Sequence, residues 1–255
     1  MIRRTAIGAL LVLPVVLVSC QRDRTQTSAV TTRTAAGEHT APGAAGVNER
    51  DNALVRVVHA MPAGAAIDVW AGNTRVFAGV AYKEVTAYHE VPGERHSFKV
   101  RPAGMAQAEP FATNSEGLDD GKHYTVFAMP GEDAQVSLRV VEDDHSVPAA
   151  GKARLRVVHA SSESGELAVY AAGRRDPLIN GVNDQRVSTY QAIDPVAGTV
   201  TLRSEGEMSI KVVLPDIRFD AGQTYTMVVV EKVKTSPRFD AFIIADVVAG
   251  RLPTR

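Results

Sequence analysis

Two histidines sit in near-identical surroundings one hundred positions apart. His59 lies in the run VRVVHA at 55–60 and His159 in LRVVHA at 155–160. An imidazole titrates near neutrality and ligates transition metals, so an equivalent pair raises the prospect of a shared ligand or metal site. The competing reading is local: a histidine closing an inward-facing strand bonds the adjoining turn, whose backbone supplies the partner a buried polar group needs. Each copy carries its own histidine, and a joint site requires the two copies to meet face to face, so the local reading is preferred. Asp68, inside the apolar run AIDVW, could form an acid–imidazole dyad with His59. No hydroxyl or thiol nucleophile stands in a G-x-S-x-G elbow, however, and the second copy has Ala168 at the matching position. Trp70 and Tyr170 occupy equivalent positions and could stack a sugar ring; because a sandwich core needs large residues, a core role is preferred. The acidic runs Glu142-Asp143-Asp144 and Asp119-Asp120 offer oxygens of the kind Ca²⁺ takes, but without the D-x-D-x-D-G spacing of a calcium loop. No phosphate loop, dinucleotide fingerprint or H-E-x-x-H motif occurs, so no cofactor, metal or catalytic residue is assigned.

The one cysteine, Cys20, offers different chemistry. Arg3 and Arg4 precede an apolar run from Ala6 to Val18, too short to span a bilayer as a helix, which needs about 20 residues. The run reads as an export signal covering residues 1–19 and ends in Leu17-Val18-Ser19-Cys20, which matches the lipobox of bacterial lipoproteins. Cys20 is therefore the expected lipidation site, diacylglycerol and an acyl chain such as palmitate holding the chain to a membrane. By resemblance to lipoprotein sorting in Gram-negative bacteria, Gln21 after the cysteine implies the outer membrane. With Cys20 lipidated, no thiol remains for a disulfide, a metal or nucleophilic catalysis.

Positioning these groups falls to the rest of the chain. Residues 20–52 contain no aromatic residue and little beyond Ala, Thr, Gly and charge, and a segment that cannot bury apolar surface is expected to be a disordered tether. From Ala53 the pattern changes to short alternating runs punctuated by Gly, Pro and Asp. RVVHA at 56–60 recurs at 156–160, IDVWAGN at 67–73 faces LAVYAAG at 167–173, AGVAYKEVTAY at 78–88 faces NGVNDQRVSTY at 180–190, and DDGKHYTVFAM at 119–129 faces DAGQTYTMVVV at 220–230. Four blocks that keep order and spacing mark a tandem duplication. The expected organisation is repeat 1 over 53–145, a linker over 146–152, repeat 2 over 153–249 and a tail over 250–255. In the first strand of each copy, Val55, Val57 and His59, or Leu155, Val157 and His159, point inward, while Arg56 and Arg156 fall on the outward face. Further strands are expected at 67–71, 84–91, 96–101, 123–128 and 136–141, and at 166–171, 187–192, 199–204, 209–213, 224–231 and 239–248. Many short strands without a long period-3.6 segment predict an all-β protein of two tandem antiparallel β-sandwich domains.

The run from Arg56 to Trp70, RVVHAMPAGAAIDVW, resembles the opening motif of the bacterial extracytoplasmic domain of unknown function 4397. Arg56, His59, Ala60, Pro62, Asp68, Val69, Gly79, Val80 and Tyr88 fall on that pattern, as do Arg156, His159, Ala160, Ser161, Val169, Tyr170, Gly181, Val182 and Tyr190. The second copy departs from it at Ala168 and in the turn SESGE. The resemblance implies an Ig-like or transthyretin-like sandwich in secreted or surface-anchored proteins, and it carries no catalytic residue to transfer.

The net charge of −1 shows no basic excess, which argues against nucleic acid. Residues 53–147 carry 8 basic and 13 acidic groups, a balance of −5. The expected protein is non-enzymatic: a lipid-anchored cell-envelope protein for surface interaction, adhesion or scaffolding, its partners an envelope protein or a glycan. A glycan or cell-wall binding module is the alternative and an envelope hydrolase the weakest reading. His59, Asp68, Trp70, His159 and Tyr170 are the residues through which a ligand would act.

Overall fold

The structure, a computed structural model, describes residues 52–246 apart from 63, 133–134, 163, 205–208 and 233–237. Cys20, the signal segment, residues 20–51 of the expected tether and the tail 250–255 lie outside the described residues. The first repeat supplies β1 (Asn52–His59), β2 (Ile67–Ala71), β3 (Thr74–Val80), β4 (His89–Pro92), β5 (Arg95–Pro102), β6 (Ala112–Gly117), β7 (His123–Pro130) and β8 (Val136–Glu142). These form two four-stranded sheets ordered β4-β1-β7-β8 and β3-β2-β5-β6. The second repeat supplies β9 (Ala153–Ala160), β10 (Leu167–Ala171), β11 (Ile179–Val182), β12 (Gln191–Ile193), β13 (Val196–Ser204), β14 (Ile210–Phe219), β15 (Thr224–Glu231) and β16 (Phe239–Asp246). Its sheets, β12-β9-β15-β16 and β11-β10-β13-β14, repeat the same order. Each pair of sheets closes on its own core, around Val55, Val57, Ile67, Phe98 and Val126 in the first sandwich and Leu155, Leu167, Leu202, Phe219 and Met227 in the second.

The ladders are antiparallel except two: β1 pairs parallel with β7 and β9 parallel with β15. A parallel neighbour requires a long crossover, and strands β2–β6, or β10–β14, provide it. Two turns are fixed identically in both repeats. The Tyr124 hydroxyl accepts from Asp119 N–H at 3.0 Å and the Tyr225 hydroxyl from Asp220 N–H at 3.1 Å, pinning the corner before β7 and β15. Thr86 and Ser188 each accept from the backbone N–H of Val57 and Val157 at 2.9 Å. That side-chain bond replaces a ladder bond, so the strands expected from 84 and 187 are reduced to single bridges at Val85 and Val187. Regular pairing then resumes at His89 and Gln191.

One expectation is corrected. The second face of β1 and β9 does not meet water. Val58, Ala60, Phe127 and Met129 pack against Val158, Ala160, Val228, Val230 and Ile244, so the sheets containing β1 and β9 stack on each other. These inner sheets are buried on both faces, which is why β7 and β15 read as nearly continuous apolar runs rather than alternating ones. Each such fully buried aliphatic or aromatic side chain contributes about 1.5–3 kcal/mol, and Arg56 and Arg156 lie within this joint, almost fully buried.

Candidate functional site

The buried arginines define the joint's electrostatics. Arg56 donates from Nε to Thr125 Oγ1 at 2.8 Å and from Nη2 to Asp246 Oδ1 at 2.5 Å, 190 residues further along the chain. Arg156 donates from Nε to Thr226 Oγ1 at 2.8 Å and from Nη2 to Asp143 Oδ1. Thus each repeat's first strand pairs with the residue closing the other repeat, and Arg56 Nε also lies 3.6 Å from Asp143 of its own. The aspartates are shared further: Asp143 accepts from Tyr88 at 2.7 Å and Thr125 at 2.6 Å, Asp246 from Tyr190 at 2.9 Å and Thr226 at 2.6 Å. Burial alone would raise the Asp143 carboxyl, but Arg156 and then Arg56 outweigh it and hold it below the ordinary carboxylate value. Burial pushes both tyrosine hydroxyls upward, against the arginines over their rings. The Asp143 oxygens are thereby committed to guanidinium and hydroxyl donors, so they are not free to ligate a cation in the acidic run 142–144.

His59 and His159 end their strands and turn inward, fully buried. His59 Nε2 donates to Ala65 O at 3.2 Å while Nδ1 accepts from Met61 N–H at 3.3 Å. Burial lowers the pKa and keeps the ring neutral. His159 Nε2 lies 3.0 Å from Gly165 O, 2.8 Å from Ser164 Oγ and 3.2 Å from Asp184 Oδ1. Burial again lowers its pKa, although Asp184 acts in the opposite direction. Serine, histidine and aspartate thus meet, and the run HASSES is the sequence signal for it. A relay places hydroxyl and carboxylate on opposite ring nitrogens, and Ser161 Oγ does lie 3.4 Å from Nδ1 while Asp184 faces Nε2. The Ser161 hydroxyl is, however, bonded to Ser164 Oγ at 2.9 Å, and Ser164 Oγ and Gly165 O compete with Asp184 at Nε2. Ser161 and Ser164 are also buried. The first repeat has Met61, Gly64 and Tyr82 at the corresponding positions, with Tyr82 edge-on to His59 at 6.2 Å. His59 is bonded within its own turn, and His159 within its own turn and to Asp184 after β11.

Asp68 is buried and accepts from Gly79 N–H at 2.8 Å, Gly104 N–H at 3.1 Å and Arg75 Nη1 at 3.2 Å. Burial opposes ionisation, but these donors together hold its carboxyl below the ordinary value. It pins two turns that contain positive-φ glycines, at +66° and +75°, and makes no bond to His59. The preferred core role of Trp70 and Tyr170 is corrected: neither belongs to a core cluster, because Ile67, Val69 and Ala71 take the inward face of β2. Both lie partly buried on the outer sheets, Arg101 5.7 Å from the Trp70 ring and Arg203 4.7 Å from the Tyr170 ring. Trp70 Nε1 is buried without a partner.

The feature that sequence reasoning missed is a hollow of about 400 Å³ where loops of both repeats converge. Met61, Pro62, Ala65, Phe111, Pro130 and Val136 of the first repeat form its apolar walls, and Ser162 and Glu231 of the second complete it. It lies beyond the His59 end of β1, the end opposite Asn52, where the chain enters the sandwich. Ser162 N–H donates to Glu231 Oε1 at 3.2 Å, and Tyr82 O–H donates to Glu231 O at 2.9 Å, tying the loop after β3 to the end of β15.

Fold and joint define the class: an all-β protein of two tandem β-sandwiches stacked through their inner sheets. The family model described as "Domain of unknown function (DUF4397)" matches residues 53–170, the first repeat and the opening strands of the second, so the resemblance read from Arg56 to Trp70 is shown over this stretch. No curated protein matches the chain. Among solved structures, that of a candidate cell adhesion protein from Bacteroides eggerthii is similar at 9% identity and a TM-score of 0.21, over 78% of this chain and 96% of that one. At that score the likeness carries no argument about function.

Proposed function

We propose that the protein is a lipid-anchored component of a bacterial cell envelope, on the outer membrane, whose paired sandwiches present a non-catalytic surface for adhesion or scaffolding. The observation that carries this reading is the hollow shared by both repeats, lined mostly by apolar side chains. The glycan alternative rests on Trp70 and Tyr170, whose outward rings are attended by Arg101 and Arg203 and would have to shed them to stack a sugar.

Soluble residues 53–249 used as bait against envelope fractions, with retained protein and polysaccharide quantified separately, test the reading. A retained protein, lost with Phe111→Ala and kept with Trp70→Ala, is the expected result. Retained glycan lost with Trp70→Ala or Tyr170→Ala replaces it with the carbohydrate module, and retention of nothing removes the reading.

A further inference from the structure

We infer that the hollow takes a short peptide segment pairing a large apolar side chain with a lysine or arginine; this rests on the binding reading above and names the partner's chemistry. At about 400 Å³ it is near the lower end of ligand sites, which run about 300–1,000 Å³. That suits one or two side chains rather than a domain surface. Its walls are not merely apolar but exposed: Phe111 among them stands 48% exposed. Large apolar groups left in water around a concavity mark a binding surface more than a folding requirement.

The charge beside those walls has one sign. Glu231 lines the hollow, while Glu109 and Glu132 are exposed on the two loops that supply Phe111 and Pro130. None of the three has an ion-pair partner among the described residues. The basic groups nearby are committed elsewhere. Arg101 Nη1 donates to Ala106 O at 2.6 Å and Ala108 O at 2.5 Å, Lys83 pairs with Asp240 at 2.6 Å, and Lys232 acts on the same Asp240. A cationic, apolar segment satisfies both features at once, the carboxylates favouring its charge and the walls its side chain. An anionic or purely polar segment satisfies neither.

The probe is a fluorescein-labelled peptide of about eight alternating leucines and lysines, titrated by anisotropy with the soluble chain from Gln21 onward. Controls carry glutamate for lysine, or serine for leucine. Phe111→Ala should weaken binding about 30-fold, the scale of a central aromatic anchor. Glu231→Gln and Glu132→Gln should each weaken it up to about 5-fold, as exposed charge pairs do, and the loss should shrink in about 0.5 M salt. Phe111, Glu132 and Glu231 hold up no core, so unchanged melting temperatures separate lost binding from lost fold. Equal binding of the glutamate peptide, or indifference to Phe111→Ala, overturns the inference. If the envelope bait still retains a protein through Phe111 while the lysine peptide shows no preference, the partner chemistry is wrong and the binding reading stands. If the bait retains nothing, that reading has failed first.

Discussion

Arg56, in the first strand of the first sandwich, donates to Asp246 at the end of the last strand of the second, and Arg156 returns the contact to Asp143 at the end of the first sandwich. Arg56 also keeps a carboxylate of its own sandwich, Asp143 at 3.6 Å, whereas Arg156 takes its carboxylate from the other one. A guanidinium removed from water without a carboxylate costs several kcal/mol, so the second sandwich alone would have to rehydrate Arg156. The joint is therefore specified by charge as well as by the apolar contacts of Phe127, Met129 and Val228.

Breaking one side of the cross should cost more than replacing both sides. Asp246→Leu leaves Arg56 with Asp143 alone, 3.6 Å from its Nε, and should destabilise the chain by about 1–3 kcal/mol. Adding Arg56→Met removes the half-paired charge, and the double variant should recover part of that loss. Urea unfolding of both variants, with the slope checked for loss of cooperativity, measures the difference. A double variant as unstable as the single would mean that the pair acts through packing instead.

How much of this was legible depends on what each residue type can signal. The duplication, the first strands and the paired sandwiches were readable because RVVHA and its companions recur in order with apolar alternation. Strands β3 and β6 were not: TRVFAGV and ATNSEG are edge strands, largely open to water, where no apolar period is imposed. The joint was hidden because an arginine facing a second sandwich looks, in a single strand, like one facing solvent. The available signal was recurrence itself, since Arg56, Tyr88, Thr125 and Asp143 each reappear as Arg156, Tyr190, Thr226 and Asp246. Surface residues have less reason to be kept through a duplication as a matched set. The hollow had no such trace, because its walls come from loops that differ between the repeats, Met61 and Gly64 against Ser161 and Ser164.

The membrane anchor is a separate expectation with a direct measurement. The full-length chain expressed with its signal should partition into the detergent phase of a Triton X-114 extract and incorporate labelled palmitate. Cys20→Ala should abolish the label and shift the protein to the aqueous phase, since each buried methylene contributes about 0.8 kcal/mol to holding the membrane. Persistence in the detergent phase without Cys20 would require another attachment.

The serine–histidine–aspartate contact of the second repeat should prove structural. Ser164→Ala removes the hydroxyl 2.8 Å from His159 Nε2 but leaves the Gly165 carbonyl in place, so it should cost about 1 kcal/mol. His159→Ala also opens a cavity and orphans that carbonyl, for about 2–4 kcal/mol. Neither Ser164→Ala nor Ser161→Ala should change what the envelope bait retains, and an active-site fluorophosphonate should leave both serines unlabelled. Labelling of Ser164 would revive the hydrolase.

Acid should loosen the joint from the first repeat's side. His123 and His145 meet with their rings tilted at 45° and centroids 4.1 Å apart, and Tyr88 lies edge-on to both at 5.0 and 5.9 Å. Burial lowers the pKa of His123; His145 and Arg56 add to the depression and Asp143 resists it. Burial likewise lowers His145, with Asp143 and Asp246 opposing and Arg56 and Arg156 reinforcing. The unfolded chain takes up protons near the ordinary value of 6.5 while the folded chain holds fewer. Stability is therefore complete above that value and declines as pH falls through it, levelling off below the folded pKa values. His59 and His159 share the direction, so the test is the difference made by the tilted pair. Each unit of depression corresponds to about 1.4 kcal/mol lost at full protonation. The double variant His123→Gln with His145→Gln should show a shallower decline in urea midpoint between about pH 7.5 and 5. A decline as steep as that of the unaltered chain would assign the acid sensitivity to the two turn histidines instead, whose rings are sealed behind Ala65 and Gly165.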